Sequence, residues 1–282
     1  MRYTYLRPQE PSDNSAPLLL LHGFGAALEQ WRTNLIPLSQ QHTVYALDFL
    51  GFGASHKAAT VYSVALWQTQ VYEFWQTFIR QPVVLVGHSL GALVALSTAV
   101  QYPDMVKGLV LLTLPAARQE LLSGPSGAIA SQMERWFANP LLLSPVFWFF
   151  RRSRVIRAAL RFTYANPNAV TDEVVSRFIA PALDRGAAEV FFRLSEARTQ
   201  ADFSPSTKTL LQHLDRPTLM LWGASDRIIP LTWGRQLPPL NPHLKLVEIP
   251  DAGHCLYDEC ADSVNQEILS WVNQLQRESV FS

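Results

Sequence analysis

The sequence has few cysteines and no excess of charge. Only two of its 282 residues are cysteine, Cys255 and Cys260, which excludes a disulfide framework and leads us to expect a reduced, cytoplasmic setting. Lys plus Arg and Asp plus Glu each number 23, and no basic stripe is present, so nucleic acid is not expected as a partner. No cysteine or histidine cluster has the spacing of a metal site, so we predict neither a metal nor another cofactor.

Long apolar runs are also missing. A membrane-spanning helix needs about 20 consecutive apolar residues, and the nearest candidate, residues 141–150, is shorter and is interrupted by Ser144 and Pro145. The first 17 residues lack the basic-then-apolar order of a secretion signal. We therefore expect neither a transmembrane helix nor a cleaved leader. Apolar residues still make up 48% of the chain, enough for a large core.

What the sequence does contain is a regular alternation between short apolar runs and segments with helical spacing. The apolar runs are typical of strands buried on both faces of a sheet. This alternation predicts the α/β class, with a mostly parallel central sheet flanked by helices. The predicted strands are residues 2–6 (at an edge), 18–21, 43–47, 83–86, 106–112, 217–222 and 244–249, and the predicted helices are residues 28–38, 64–79, 92–99, 231–237 and 261–276.

Between residues 115 and 214 the alternation stops and only helical spacing remains. We therefore predict a core formed by residues 1–114 and 215–282, with residues 115–214 inserted as a helical cap or lid. The cap carries a group of aromatic residues followed by arginines. These residues could line an apolar tunnel, contact a membrane surface, or form the cap's own hydrophobic core. They are Trp136, Phe137, Phe147, Trp148, Phe149 and Phe150, then Arg151, Arg152, Arg154, Arg157 and Arg161.

A G-x-S-x-G pentapeptide, Gly87-His88-Ser89-Leu90-Gly91, lies between a predicted buried strand and a predicted helix. In this context the pentapeptide is typical of a nucleophile elbow, which exposes the serine hydroxyl on a tight turn. A side chain at Gly87 or Gly91 is expected to collide with neighbouring backbone. The alternative is that Ser89 merely caps the following helix.

A serine nucleophile needs a histidine base, and the histidine needs a carboxylate to orient it. In folds built around such an elbow the chain order is serine, acid, histidine, with the acid and the base on loops after late strands. Asp226 and His254 fit that order. Asp226 could instead cap a helix, His254 could be an ordinary surface histidine, and Asp251 is a rival acid.

Among the other histidines, His88 is expected to point away from Ser89, and His22 is expected to hold its own loop in place. The remaining four look like turn or surface residues: His42, His56, His213 and His243.

The developing oxyanion of an acyl-transfer reaction needs hydrogen-bond donors. In this type of site the donors are the N–H of the residue after the nucleophile, here Leu90, and an N–H of the early loop, here Phe24.

Residues 48–55 are rich in glycine but lack a nucleotide-binding pattern, so we interpret this loop as structural. The residues predicted to line the substrate pocket are Phe24, His88, Trp136, Phe147 and Trp148.

Taken in order, these motifs resemble the α/β-hydrolase superfamily over residues 18–276. The resemblance implies the α/β-hydrolase fold with a helical cap, and a serine hydrolase that cleaves a carboxylic ester through an acyl-enzyme. The family normally has two strands before the first buried strand, whereas this chain has room there for one strand or a tight pair. The motifs are His22-Gly23-Phe24-Gly25, Asp48-x-x-Gly51-x-Gly53-x-Ser55, Gly87-His88-Ser89-Leu90-Gly91, Asp226 and Gly253-His254.

A narrower resemblance concerns the histidine loop and the cap. Gly253-His254-Cys255-Leu256-Tyr257-Asp258-Glu259 is similar to the run around the catalytic histidine of the pheophytinase and chlorophyll dephytylase group, and residues 165–173 and 181–182 resemble its cap. This resemblance implies a lipophilic ester as substrate, namely the phytyl ester of chlorophyll-type pigments. It also implies peripheral contact of the cap with a membrane, which would be the thylakoid.

Other functions stay open at this point. Carbon–carbon bond hydrolases of ring-cleavage products and haloperoxidase-like or general esterases also use a serine. Haloalkane dehalogenases and soluble epoxide hydrolases use an aspartate where this chain has Ser89, which disfavours them. A binding protein that reuses the fold would need none of Ser89, Asp226 and His254.

Overall fold

The structure is a computed structural model that describes residues 1–10, 15–121, 147–149 and 151–280, and side chains up to residue 277. Its centre is a seven-stranded sheet with the order β1-β3-β2-β4-β5-β6-β7. Strand β1 pairs antiparallel with β3, and all the other strand pairs are parallel. The strands are β1 (Tyr3–Leu6), β2 (Leu18–Leu21), β3 (Val44–Leu47), β4 (Val83–His88), β5 (Val106–Leu112), β6 (Thr218–Gly223) and β7 (Leu244–Ile249).

Helices connect the strands and continue the chain after the last one. Most of the predicted elements are present, which confirms the α/β class and the mostly parallel sheet. The α-helices are α1 (Arg32–Ser39), α2 (Val64–Phe78), α3 (Leu90–Gln101), α4 (Arg118–Leu121), α5 (Ser153–Thr163), α6 (Asp172–Ile179), α7 (Ala187–Ala197), α8 (Thr207–His213), α9 (Leu231–Gly234), α10 (Leu256–Glu259) and α11 (Ala261–Val280). Short 3₁₀ turns occur at Leu28–Trp31, Pro103–Met105, Pro167–Ala169, Ala180–Leu183 and Pro238–Leu240.

Several predicted element boundaries need correction, among them those of three helices. The helix predicted at residues 28–38 begins as the 3₁₀ turn Leu28–Trp31 and becomes an α-helix only at Arg32. The helix predicted at residues 231–237 ends at Gly234, and a 3₁₀ turn follows at Pro238–Leu240. The last helix runs beyond residue 276 to Val280. In the described residues, the single strand β1 precedes the first buried strand.

Helices cover both faces of the sheet, and successive side chains of each strand point alternately to one face and the other. On one face, Leu19 and Leu21 of β2 belong to a hydrophobic cluster with Trp67 of α2. On the other face, Leu18 and Leu20 belong to a cluster with Ile268 of α11. The continuous apolar strands of the sequence therefore reflect helices packed on both sides of the sheet.

In the described part of residues 115–214, all regular structure is helical, as helices α4 to α8, a helical segment at residues 147–149 and two 3₁₀ turns. We refer to this stretch between β5 and β6 as the insertion. Its contacts with the core include the loop after β7, where Thr163 accepts a hydrogen bond from the backbone N–H of His254 at 2.8 Å. Whether the insertion acts as a lid, with the predicted boundaries, stays a prediction. No helix in the described residues is long and apolar enough to cross a membrane.

Candidate active site

Ser89 occupies a sharp turn between β4 and α3. The strand ends at His88 and the helix begins at Leu90, so one residue makes the connection. The backbone of Ser89 has φ 52° and ψ −114°, a region that non-glycine residues rarely adopt and that costs about 1–3 kcal/mol. The Ser89 N–H donates to the carbonyl of Leu112 at 2.9 Å, which ties the turn to the end of β5. The turn is the strained strand-to-helix corner that the pentapeptide predicts.

The two glycines of the pentapeptide allow close approach of the backbone on either side of Ser89. A Cβ on Gly87 would lie 2.3 Å from the carbonyl oxygen of Gly91. A Cβ on Gly91 would lie 2.2 Å from the carbonyl oxygen of Leu21, at the end of β2. The collisions expected from the sequence are therefore present, with α3 at Gly87 and with β2 at Gly91.

Asp226 and His254 meet at the carboxyl edge of the sheet. The Nδ1 atom of His254 lies 2.9 Å from Oδ2 of Asp226. The Asp226 side chain is fully buried, and its other oxygen accepts the N–H groups of Ile228 and Ile229 at 2.7 and 2.9 Å. Because an ionised carboxylate only accepts, the pair places the proton of a neutral imidazole on Nδ1 and leaves Nε2 able to accept.

The alternatives for Asp226 do not agree with these contacts. Asp226 bonds to its own turn and to His254, whereas α9 begins at Leu231 and has no side-chain cap. The rival acid Asp251 is exposed, and no hydrogen bond joins its side chain to His254. Two further glycines bring the loops together, since a Cβ on Gly223 would lie 2.1 Å from the carbonyl oxygen of Gly253.

His88 contacts His254 through a hydrogen bond and through packing of the two rings. Its Nε2 lies 3.0 Å from the carbonyl oxygen of His254, and its ring packs against the rings of His254 and Tyr257 with centroids 4.8 and 4.7 Å away. Burial, with a smaller contribution from His254, holds the pKa of His88 well below its usual value, so the neutral ring donates through Nε2. The prediction that His88 lines the substrate pocket does not agree with a side chain that is 4% exposed and committed to these contacts.

The early loop is fixed by hydrogen bonds that leave Phe24 at the surface. Nε2 of the buried His22 accepts the N–H of Phe49 at 3.0 Å, as expected of a residue that holds its loop. The Gly23 N–H donates to Gln30 Oε1 at 3.1 Å. In the described part of the chain, neither the Phe24 N–H nor the Leu90 N–H donates to a protein acceptor. Both groups are therefore available as the oxyanion donors that the sequence predicts.

The predicted pocket aromatics fall into different environments. Phe24 is 41% exposed, and its ring lies beside Phe52 and under the guanidinium of Arg198, which is 5.2 Å from the ring centroid. Phe147 is buried against Phe191 and therefore contributes to the insertion's own core. Trp148 is half exposed, with Arg151 over its ring. Trp136 lies outside the described residues.

The glycine-rich loop after β3 has a structural arrangement. The buried carboxylate of Asp48 accepts the N–H groups of Leu28 and Ala54, both at 2.7 Å. A Cβ on Gly53 would lie 2.2 Å from that carboxylate, so the loop packs closely around the Asp48 side chain. Within the described residues, no three His, Cys, Asp or Glu side chains are grouped as metal ligands would be. The absence of a cofactor stays a prediction.

Glu259 is a site residue whose role sequence reasoning missed. Its carboxylate accepts the N–H of Gly253, immediately before His254, and the N–H groups of Ala165 and Asn166 in the insertion. The adjacent Asp258 accepts from the Tyr164 hydroxyl at 2.6 Å and from Arg32 at 2.5 Å. In the sequence, Asp258 and Glu259 stand out only as part of the run around His254 that resembles the pheophytinase group. Its structural role depends on contacts between distant parts of the chain.

Comparison with known proteins agrees with the observed fold. The sequence model of the alpha/beta hydrolase fold family matches residues 16–260, which is most of the chain. The chain belongs to the α/β-hydrolase family. This family assignment confirms the superfamily resemblance seen in the motifs, and the seven-stranded sheet confirms the expected fold.

Individual relatives of this α/β-hydrolase are distant. It is 28% identical over 266 residues to the dihydrolipoyllysine-residue acetyltransferase component of an acetoin cleaving system from Pseudomonas putida, with 93% of this chain and 65% of the relative covered. It is 26% identical over 298 residues to chloroplastic pheophytinase from Arabidopsis thaliana, with 92% of this chain and 61% of the relative covered. The chain therefore spans less than two thirds of the length of these two relatives.

A solved structure shares the fold of this α/β-hydrolase. The meta-cleavage product hydrolase CumD from Pseudomonas fluorescens superposes with a TM-score of 0.79 at 22% identity, covering 96% of this chain and 93% of that one. At this identity the likeness concerns the fold alone, and the reaction must be argued from the site.

Proposed function

We propose that the protein is a serine hydrolase that cleaves a carboxylic ester through an acyl-enzyme. The observation that carries the proposal is the pairing of His254 Nδ1 with Asp226 Oδ2 at 2.9 Å, on the sheet edge at which Ser89 lies on its strained turn. An imidazole oriented by a carboxylate, on the same sheet edge as a half-buried serine, is the arrangement that acyl transfer uses.

The proposed reaction has two halves. Ser89 Oγ attacks the ester carbonyl carbon while His254 Nε2 takes the hydroxyl proton, and the N–H groups of Phe24 and Leu90 stabilise the oxyanion. The carbon–oxygen bond to the alcohol then breaks, and the alcohol leaves with the proton from His254. Water next attacks the acyl-enzyme with His254 again as base, which releases the acid and restores Ser89. Asp226 keeps the imidazole in the required tautomer throughout.

The first test is Ser89→Ala. This variant should lose labelling by a fluorophosphonate probe and turnover of p-nitrophenyl esters, because it removes the hydroxyl that forms the proposed acyl-enzyme. The matched control is Ser97→Ala on the following helix, α3. The Ser97 hydroxyl bonds only to Gln68 in the described structure, so this variant should label as the wild type does. A wild type that takes no probe would contradict the assignment.

We propose a lipophilic ester, specifically the phytyl ester of a chlorophyll-type pigment, as the substrate. Three observations support this proposal: the resemblance of the histidine loop to the pheophytinase group, the distant relationship to Arabidopsis pheophytinase, and the exposed Phe24 ring beside a proposed oxyanion donor. Incubation with chlorophyll a should release phytol and chlorophyllide. Good activity on short esters without such release would instead support a general esterase, and cleavage of a ring-cleavage product would support a carbon–carbon hydrolase.

We also propose that the insertion contacts an anionic lipid surface. Trp148 and Phe149 are both about half exposed, and Arg151 and Arg152 lie over their rings. On α5, Phe162 is 55% exposed. Amphipathic aromatic and arginine side chains of this kind suit the boundary between lipid headgroups and acyl chains. Such contact would bring the site close to a substrate dissolved in a membrane.

A further inference from the structure

A single carboxylate connects the insertion to the loop that carries the proposed base. Oε1 of Glu259 accepts the Gly253 N–H at 2.9 Å. Oε2 accepts the Ala165 N–H at 2.6 Å and the Asn166 N–H at 3.3 Å. Gly253 immediately precedes His254, and Ala165 and Asn166 follow the end of α5. One side chain thus holds two backbone segments that are far apart in the sequence.

A direct backbone contact reinforces this connection. The His254 N–H donates to the carbonyl of Thr163, the last residue of α5, at 2.8 Å. The segments are so close that a Cβ on Gly253 would lie 2.4 Å from that same carbonyl oxygen. The end of α5 therefore determines where the backbone of His254 lies.

The link that Glu259 makes between Gly253 and residues 165–166 requires both of its carboxylate oxygens to act as acceptors. Three backbone N–H groups point at the carboxylate, and a protonated oxygen would turn a donor towards one of them. Burial raises the pKa of Glu259 above its ordinary value, and the three N–H groups oppose that rise. Hydrogen bonds to an ionised acceptor are stronger than neutral ones, so the carboxylate is well suited to hold two segments in register.

We propose that Glu259 is a positioning residue that couples the placement of α5 to the placement of the His254 imidazole. The proposal rests on the proposed function, in which His254 is the base. Glu259 touches neither the substrate nor the reacting atoms. Through the Gly253 N–H it fixes the backbone from which the imidazole extends, and through Ala165 and Asn166 it fixes the end of α5 on that backbone.

The test is Glu259→Gln, which keeps the size of the side chain but replaces one acceptor oxygen with an NH₂ donor. One of the two bridged segments must then lose its acceptor. We expect kcat for ester hydrolysis and the rate of fluorophosphonate labelling to fall about 10- to 100-fold, the scale of a small misplacement of a catalytic group, with little change in KM. The inflection assigned to His254 in the pH profile of kcat/KM should shift, and so should the NMR resonance of its Nδ1 proton.

Two control variants separate positioning from stability. Glu173→Gln removes an exposed carboxylate on α6 that pairs with Arg177, and it should leave rates and profile unchanged. Asp258→Asn weakens the neighbouring attachment to Tyr164 and Arg32 without touching Gly253. It should lower the Tm but shift the His254 inflection less than Glu259→Gln does, because the Gly253 N–H keeps its acceptor. Glu259→Asp keeps the charge with a shorter reach and should fall between Glu259→Gln and the wild type.

The outcomes are distinguishable. A Glu259→Gln protein that labels at the wild-type rate with an unshifted pH profile would overturn the positioning role, whatever its Tm. If Glu259→Gln does not fold, Glu259→Asp decides by the same measurements. A wild type that takes no probe would overturn the proposed function instead, and the imidazole resonance, which needs no substrate, would still report whether Glu259 positions His254.

Discussion

At the scale of single residues, the proposed chemistry depends on which nitrogen of His254 carries its proton. Asp226 decides this because its Oδ2 faces Nδ1, while its Oδ1 is held by the N–H groups of Ile228 and Ile229. The carboxylate is therefore fixed from both ends, and the imidazole is oriented by a group that itself cannot rotate freely. His88 adds a hydrogen bond to the backbone carbonyl of His254.

Asp226→Asn tests the choice of tautomer at this scale. The amide would present an N–H₂ group to Nδ1 and favour the proton on Nε2, where the imidazole can no longer accept from Ser89. We expect kcat to fall about 10³- to 10⁴-fold, the size of such a tautomer effect in serine hydrolysis, with a nearly unchanged fold by circular dichroism. Asp251→Asn is the matched control, because Asp251 is exposed and its φ of 57° suits asparagine. Equal losses in both variants would contradict the assignment of the acid.

At the scale of elements, helix α5 of the insertion makes different contacts on its two sides. Leu160 of α5 is buried, and the end of that helix meets the loop of His254. The exposed residues Arg154, Arg161 and Phe162 follow helical spacing on another side of the helix. Among the described residues, neither of these arginines forms an ion pair. The helix therefore joins the candidate site to a basic and aromatic surface.

The double variant Arg154→Gln, Arg161→Gln tests whether that surface meets lipid. Each basic residue at an anionic membrane contributes about 1 kcal/mol, so partitioning onto vesicles rich in anionic lipid should fall roughly thirty-fold in a sedimentation assay. The wild type should bind zwitterionic vesicles less well than anionic ones, and added salt should weaken its binding. Arg80→Gln is the control, since Arg80 is exposed at the amino end of β4, away from the insertion. Undiminished binding by the double variant would rule out this surface.

At the scale of the whole molecule, three buried histidines link stability to pH. His22, His42 and His88 are all at most 4% exposed. Burial lowers the pKa of each below the usual imidazole value. They lie at the end of β2, before β3 and at the end of β4, so the effect is distributed over the core. His42 was expected at a turn or the surface, but its ring is buried and Nδ1 bonds to the carbonyl of Ala16 at 3.0 Å.

The sign of the pH dependence follows from these lowered pKa values. Above about pH 6.5, the unfolded-state pKa, both states are neutral and the stability is fully present. As the pH falls below that value, the unfolded chain takes up protons that the folded protein does not. The free energy of unfolding should then fall by up to about 1.4 kcal/mol per pH unit for each such histidine, until the folded pKa is reached.

Urea unfolding between pH 7.5 and 5 should show this loss of stability. His42→Gln removes one of the three titrating groups at a position distant from the candidate site, so its slope should be shallower than that of the wild type. His56→Gln is the control because His56 is exposed, and it should keep the wild-type slope. A flat wild-type curve over this range would contradict the role given to the buried histidines.

Local patterns in the chain were enough to predict the sheet and the order of the motifs. A strand buried on both faces must be continuously apolar, and the elbow turn leaves no space for a side chain at Gly87, four residues before Gly91. Those constraints act between residues that are close in the sequence, so the sequence pattern alone indicates them. The same holds for the order of Ser89, Asp226 and His254, since each follows its own strand.

Contacts between distant residues could be found only in the folded structure. Glu259 lies 94 residues from Ala165, and His88 lies 166 residues from the carbonyl it supports. No periodicity or spacing records which side chain will meet which backbone group across such distances. Whether His88 faced a pocket or the underside of His254, and whether Asp258 and Glu259 were surface charges or anchors for the insertion, depended on how the last loop packs against the end of α5.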